Sequence, residues 1–141
     1  MTNKNIKKTL DLFPSKSSSA LKEFAKNYLE IISDADFEQI TPEALVKIIQ
    51  NQWSLLQDKK PGEPVLEIYT LTQEKHGWGS GRTAINIVND DMPFLIDSVA
   101  AEVVRQGHLV QILMHPILYA QTDKNNAVKT THKDKQDHQA G

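Results

Sequence analysis

The stretch that most constrains the fold lies near residue 90, where a predicted strand runs into a predicted helix through a tight polar turn. Residues 83–88 alternate Ile85 and Ile87 with smaller or polar residues. This alternation predicts a strand that is buried on one face and partly buried on the other. The pattern stops at residue 89, so the strand is expected to end there.

The turn consists of five residues, Asn89, Asp90, Asp91, Met92 and Pro93. Either Asp91 or Met92 could open the helix. Asp91 is favoured because its carboxylate can accept an orphan backbone N–H, and Pro93 then lies where a missing N–H does no harm. Such a cap contributes about 1 kcal/mol. The adjacent carboxylates could also share a proton or bind a cation, but a cap and a turn explain them without a ligand.

After the turn, apolar residues follow a helical period. Gly107 is expected to end this helix in a left-handed conformation. Residues 109–119 form a long apolar run that predicts a further strand, so the unit is a strand–helix–strand motif with a right-handed crossover. The residues on the apolar side of the helix are Leu95, Ile96, Val99, Val103 and Val104.

The first half of the chain predicts a pair of helices. One has its apolar residues spaced by three and four from Leu21 to Ile32, with candidate N-caps at residues 17–19. The second opens with Thr41 as N-cap and Pro42 at the first helical position. This pair could be a docking face for the rest of a larger enzyme, or a helical hairpin that covers itself or the sheet. Residues 58–64 contain two prolines and a glycine and form the linker, which divides residues 1–63 from 64–121.

A second strand is predicted at residues 65–72, antiparallel to residues 83–88, with residues 73–82 as the connecting loop. The glycines of this loop precede a strand, whereas a dinucleotide fingerprint places its glycines between a strand and a helix. We therefore expect glycines of positive φ, with Trp78 folded back as an anchor.

The composition is that of a small globular protein, with 39% hydrophobic residues and a formal net charge of −2. This charge gives no reason to expect a nucleic-acid or membrane partner. The absence of cysteine excludes disulfides and thiolate ligands. Three histidines, His76, His108 and His115, lack the spacing of a known metal motif, so we assign no metal site. No signal peptide or membrane-spanning run is visible in this sequence, and we expect a cytoplasmic protein.

The turn and its surroundings closely resemble the N-terminal region of the large bacterial NAD-dependent glutamate dehydrogenases. The resemblance rests on NDDMPFLIDSV at residues 89–99, on the helix ending in Arg-Gln-Gly, and on HLVQILMHPIL at residues 108–118. His76-Gly77-Trp78 also fits the pattern of that family. The resemblance implies an ACT-like, ferredoxin-like regulatory module. It also implies that the NAD-binding and glutamate-binding parts lie far downstream in a longer polypeptide.

The same resemblance implies no catalytic, cofactor-binding or metal-binding residue in this chain, and NAD as the cofactor of the parent enzyme. The implied partners are the downstream domains of the same polypeptide, further copies in a homo-oligomer and a small amino-acid effector. ACT-like modules bind amino acids at a strand end followed by Pro-Gly, so Asn89, Asp90, Asp91, Met92 and Pro93 are the candidate effector turn. Phe94 takes the place of that glycine and removes a close backbone approach.

The expected fold class is α+β, with a helical pair followed by a β-β-α-β module that lacks its last strand. Residues 122–141 have almost no apolar side chains and are expected to be a flexible tail or a truncated insertion. An open sheet edge would invite pairing with a second copy. Two alternative hypotheses about function stay open. The chain could be a freestanding ACT-like module that binds a small amino acid, or a small metal-dependent hydrolase built on the three histidines.

Overall fold

The computed structural model describes residues 2–125 and 127–132. Helices fill the first part of this chain and antiparallel strands follow, so the predicted α+β class is confirmed. The elements are α1 Asn3–Leu10, α2 Ser19–Ile31, α3 Asp34–Gln39, α4 Pro42–Asp58, β1 Val65–Thr70, α5 Gln73–His76, β2 Thr83–Val88, α6 Leu95–Arg105, β3 Tyr119–Thr122 and β4 Val128–His132.

Hydroxyl side chains begin the first four helices. The Ser18 Oγ accepts the Leu21 N–H at 3.1 Å and the Thr41 Oγ1 accepts the Ala44 N–H at 3.2 Å. These bonds satisfy N–H groups that have no partner inside the helix. The two predicted helices are therefore confirmed as α2 and α4, including the caps. Helices α1 and α3 were not predicted.

The hydrophobic core lies among α1, α2 and α4. Leu29, Leu45 and Ile49 are completely buried there, and the Phe24 ring packs 5.3 Å from the Trp53 ring, centroid to centroid. Trp78 packs against the same core from the loop after α5, as predicted. Three glycines of this loop have positive φ, which confirms the predicted turn conformation; they are Gly77, Gly79 and Gly81.

Strands β1 and β2 form an antiparallel hairpin in which Leu66 is opposite Ile87 and Ile68 is opposite Ile85. This pairing was predicted. Because side chains alternate across a strand, these four residues share one face of the hairpin. The other face lies against α4, where the Asn51 amide donates to the Glu67 carboxylate at 2.8 Å.

A second hairpin is formed by β3 and β4, of which Thr122 and the whole of β4 belong to the segment that was predicted to be a flexible tail. This prediction is wrong for residues 127–132, because Val128 and Thr131 are buried and the strand is held by the helices. The Gln57 Oε1 accepts the Val128 N–H at 2.8 Å, and the Asn27 Nδ2 donates to the Thr131 carbonyl at 2.9 Å. Residues 126 and 133–141, which belong to the same predicted tail, lie outside the described residues.

Three further predictions about the module need correction. Four strands are present, as two separate two-stranded sheets in the described part of the chain, where three had been expected. Helix α6 begins at Leu95 without a side-chain cap, so neither Asp91 nor Met92 opens it. Residues 109–118 belong to no strand; the extended chain forms a ladder only from Tyr119. Gly107 ends α6 with a φ of +88°, as predicted.

Candidate functional site

The predicted effector turn is held through one carboxylate. The Asp90 Oδ1 lies 3.1 Å from the Lys59 Nζ, and the Asp90 Oδ2 accepts the Gly62 N–H at 2.9 Å. The bond from Lys59, followed by the bond from the Gly62 backbone, lowers the pKa of the Asp90 carboxyl below its ordinary value. Asp90 therefore fastens the linker after α4 to the end of β2.

Asp91, Met92 and Pro93 are exposed to solvent, and Asn89 is half-buried. The Asn89 amide lies 3.6 Å from the Met92 sulfur. None of the five predicted residues lines either of the two cavities described below. Phe94 follows with a φ of 62° and is 76% exposed; it has the one positive φ among the non-glycine residues that the structure describes. This left-handed conformation costs about 1–2 kcal/mol for a residue with a side chain.

The hairpin β1–β2 exposes an aliphatic surface. Its four residues, which we call the aliphatic hairpin face, are Leu66, Ile68, Ile85 and Ile87, exposed by 59%, 60%, 43% and 37%. These fractions add up to about two complete side chains. Burying them would contribute about 3–6 kcal/mol before any cost of association. Within the two strands, the other residues on this face are Thr70 and Thr83, so the face carries no charged residue.

The inner face of the same hairpin is the more polar one. The Asn86 amide donates to the Glu67 carboxylate at 3.4 Å and to the Tyr69 hydroxyl at 3.1 Å. Asn51 from α4 donates to the same Glu67 oxygen. These bonds hold the polar side chains of β1 toward α4, so polar groups point inward while aliphatic groups point outward.

A cavity of about 420 Å³ lies between α4, β1 and the loop that contains α5. Its volume is within the range of small-molecule sites. The lining combines two ammonium groups, one carboxylate, an imidazole and two aromatic side chains. The lining residues are Lys47, Ile48, Asn51, Glu67, Tyr69, Thr70, Thr72, Lys75, His76 and Trp78.

Short-range bonds keep the α5 wall of this cavity in one conformation. The Thr72 N–H donates to the His76 Nδ1 at 2.9 Å, and the Thr72 hydroxyl accepts the Lys75 N–H at 3.1 Å. The His76 ring stacks on Tyr69 with centroids 4.9 Å apart and an angle of 18°. Because Nδ1 accepts a hydrogen bond, the neutral ring carries its proton on Nε2, where it is a donor.

The three histidines are not brought together. His76 lines the cavity beside α4, whereas His115 lines a second cavity of about 140 Å³ next to Ile31 and Ser33. Within residues 2–125 and 127–132, no group of three or more histidines and carboxylates could hold a metal ion. None of the helices in that part of the chain combines the length and the apolarity needed to cross a bilayer.

Sequence reasoning did not find the cavity. Lys47 and Asn51 were assigned only to a helix, and Glu67 only to a strand. One signal was present, because Lys47 and Asn51 are four residues apart and so lie on one side of α4. Nothing in the sequence indicated that this side faces β1.

Comparison with known proteins places the chain in one family. Residues 24–141 match the family model described as glutamate dehydrogenase, ACT1 domain. The NAD-specific glutamate dehydrogenase of Pseudomonas aeruginosa is 31% identical over 106 residues, which are 75% of this chain and 6% of that protein. The enzyme of the same name from Halomonas elongata is 32% identical over 77 residues, or 55% of this chain and 5% of that protein. No solved structure gives a significant match.

Proposed function

Because the chain belongs to the glutamate dehydrogenase ACT1 domain family, we propose that it is a noncatalytic assembly and regulatory region of an NAD-specific glutamate dehydrogenase. The parent enzyme oxidises L-glutamate with NAD to 2-oxoglutarate, ammonia and NADH, and works in the cytoplasm as a homo-oligomer. The nicotinamide and glutamate sites lie in the remainder of that polypeptide. Binding of a small amino acid at residues 89–93 belongs to the same proposal.

The aliphatic hairpin face is the observation that carries the assembly role. Exposed aliphatic side chains in a contiguous group typically mark an interaction surface. The chain spans only about 6% of the length of the Pseudomonas relative, so a protein of that size has ample further chain to cover it. We assign the downstream part of the same polypeptide as its occupant.

One exchange in the full-length parent enzyme tests this role. Ile68→Asp places a carboxylate on the aliphatic hairpin face, and Val104→Asp is the matched control, because both residues are 60% exposed and Val104 lies on α6. We expect Ile68→Asp to lower the thermal stability of the full-length enzyme, measured by differential scanning calorimetry, because the charge weakens the contact with the downstream part of the polypeptide. Val104→Asp should leave the melting temperature close to the wild-type value. Equal behaviour of the two variants would contradict the assignment.

The noncatalytic part of the proposal has its own test. The 141-residue chain, incubated with L-glutamate and NAD, should give no increase in absorbance from NADH. Glutamate-dependent NADH formation by this chain alone would overturn the proposal. The parent enzyme, assayed under the same conditions, provides the positive control.

A further inference from the structure

We propose that the cavity between α4, β1 and α5 binds a small organic anion, whose carboxylate or phosphate group is held by Lys47 and Lys75. This site is separate from the turn at residues 89–93 and from the aliphatic hairpin face. It can be tested on the 141-residue chain, so it does not depend on the proposed assembly role.

The first reason is the set of hydrogen-bond donors. Lys47, Lys75 and His76 all line the cavity, and both lysines are exposed at its surface. The bond from Thr72 to the His76 Nδ1 leaves the Nε2–H of the neutral ring as a further donor. Two cationic side chains and a ring N–H in one lining suit an anionic, oxygen-rich ligand.

The second reason is that the two lysines come from different elements at one opening. Lys47 lies on α4 and Lys75 on α5, and the Lys47 Nζ is 3.9 Å from the position that a Cβ on Gly77 would occupy. The Lys47 ammonium therefore sits against the end of α5. Because both lysines line one cavity, their flexible side chains can both reach a single anionic group there.

The third reason is the flat apolar wall. Tyr69 with its stacked His76, Trp78 and Ile48 line the same cavity, so an organic body can pack beside the anionic group. Among the described residues, Glu67 is the one carboxylate of the lining, and its Oε2 accepts bonds from Asn51 and Asn86. These two bonds hold the Glu67 carboxylate in place. In the described structure it forms no ion pair with Lys47 or Lys75.

The loop that carries Trp78, one residue of the lining, is also held in one conformation. Leu71 is 3% exposed, and its backbone bonds on both sides to the loop, accepting the Gly81 N–H at 2.9 Å and donating to the Arg82 carbonyl at 2.7 Å. A Cβ on Gly79 would lie 2.7 Å from the Leu71 Cδ1. The loop can approach this closely only with glycine there, and a fixed wall reduces the entropy lost on binding.

The test is isothermal titration calorimetry of the 141-residue chain at constant ionic strength. The probes are adenosine monophosphate for a phosphate with a flat body, succinate for carboxylates, and inorganic phosphate for the charge alone. Adenosine is the uncharged control. We expect saturable one-to-one binding of adenosine monophosphate or of succinate, and the probe that binds identifies phosphate or carboxylate as the recognised group. Saturable binding of inorganic phosphate alone, with no organic probe, would overturn the organic part of the assignment.

Four variants make the assignment specific. Lys47→Met and Lys75→Met should each weaken binding by about 10-fold to 100-fold, because each removes a charge-assisted hydrogen bond. Lys22→Met, an exposed lysine of α2 outside the lining, should change nothing. Glu67→Gln should strengthen binding, because it removes the one negative charge of the lining.

Several results would overturn this proposal. They are the absence of saturable binding for every anionic probe, equal affinity for adenosine and adenosine monophosphate, and equal loss of affinity in Lys22→Met and Lys47→Met. Weaker binding by Glu67→Gln would also overturn it, since that result requires a cationic group on the ligand. Circular dichroism of each variant separates a lost site from a lost fold.

Discussion

Replacing one leucine in the helical core and one on the hairpin should have very different effects on stability. Leu45 is 0% exposed, so Leu45→Ala removes buried methyl groups and leaves a cavity, at a cost of about 3–5 kcal/mol. Leu66 is 59% exposed, so Leu66→Ala removes less than half of a side chain from contact and leaves no enclosed cavity. Its expected cost is about 1 kcal/mol.

Urea unfolding of the 141-residue chain, followed by circular dichroism, measures both costs. With a slope of about 2 kcal/mol per molar urea, the midpoint should fall by roughly 2 M for Leu45→Ala and by roughly 0.5 M for Leu66→Ala. Equal shifts for the two variants would refute the reasoning, because they would mean that the aliphatic hairpin face is covered in the isolated chain. A midpoint of Leu66→Ala that changes on tenfold dilution would identify a second copy as the cover.

Three further predictions concern a loop glycine, the contact of Asp90 with the linker, and the side-chain bond between α4 and β4. Gly79→Ala should lower the free energy of unfolding by about 1–3 kcal/mol in thermal unfolding, because the φ of residue 79 is +62° and the new Cβ would clash with Leu71. Gly62→Ala is the control, because its φ is also positive but its Cβ would meet open space, and it should lower the free energy of unfolding by less. Asp90→Asn should lower stability at neutral pH. Because the folded pKa of Asp90 is lowered, the difference from wild type should begin to shrink below about pH 4 and should be lost as the pH falls through that lowered pKa in acid titrations. Gln57→Leu should lower the free energy of unfolding by about 1–3 kcal/mol and speed amide hydrogen exchange in β4, because the Val128 N–H loses its acceptor. Unchanged exchange would contradict the role of Gln57 in ordering β4.

Local sequence patterns were sufficient to predict the elements that depend on hydrogen bonds between residues close together in the sequence. Helices α2 and α4 begin at hydroxyl caps three residues before the N–H groups that they accept, and both starts could be predicted from the sequence. The hairpin β1–β2 is likewise a pairing of neighbouring strands. Its polarity was predicted wrongly, because the alternation of Ile85 and Ile87 favoured burial of their face, whereas both are exposed and the face with Glu67 lies against α4.

Strand β4 and the cavity could not be predicted from the sequence, because they depend on contacts between residues far apart along the chain. Strand β4 has a polar composition, and it is ordered by Gln57 and Asn27, which precede it by 71 and 104 residues along the chain. The start of α6 was misplaced by three residues, because a capping rule was applied to Asp91. The N-cap is instead Phe94, which takes a left-handed conformation, and the helix begins at Leu95. The cavity lining likewise joins α4 to residues more than 15 positions away.

The polarity of the hairpin β1–β2 links the two proposals. A strand pair that only covers helices is expected to turn its aliphatic face toward them and its polar face toward water. Here Glu67 and Tyr69 face α4, while Leu66 and Ile68 face solvent, which forgoes about 3–6 kcal/mol of burial on the outer side. In the proposed assembly role, the downstream part of a longer polypeptide covers the outer face and recovers this energy. The inward polar groups remain available to line the proposed anion site. Charge on the outer face should therefore impair assembly without weakening anion binding, and loss of Lys47 should do the reverse.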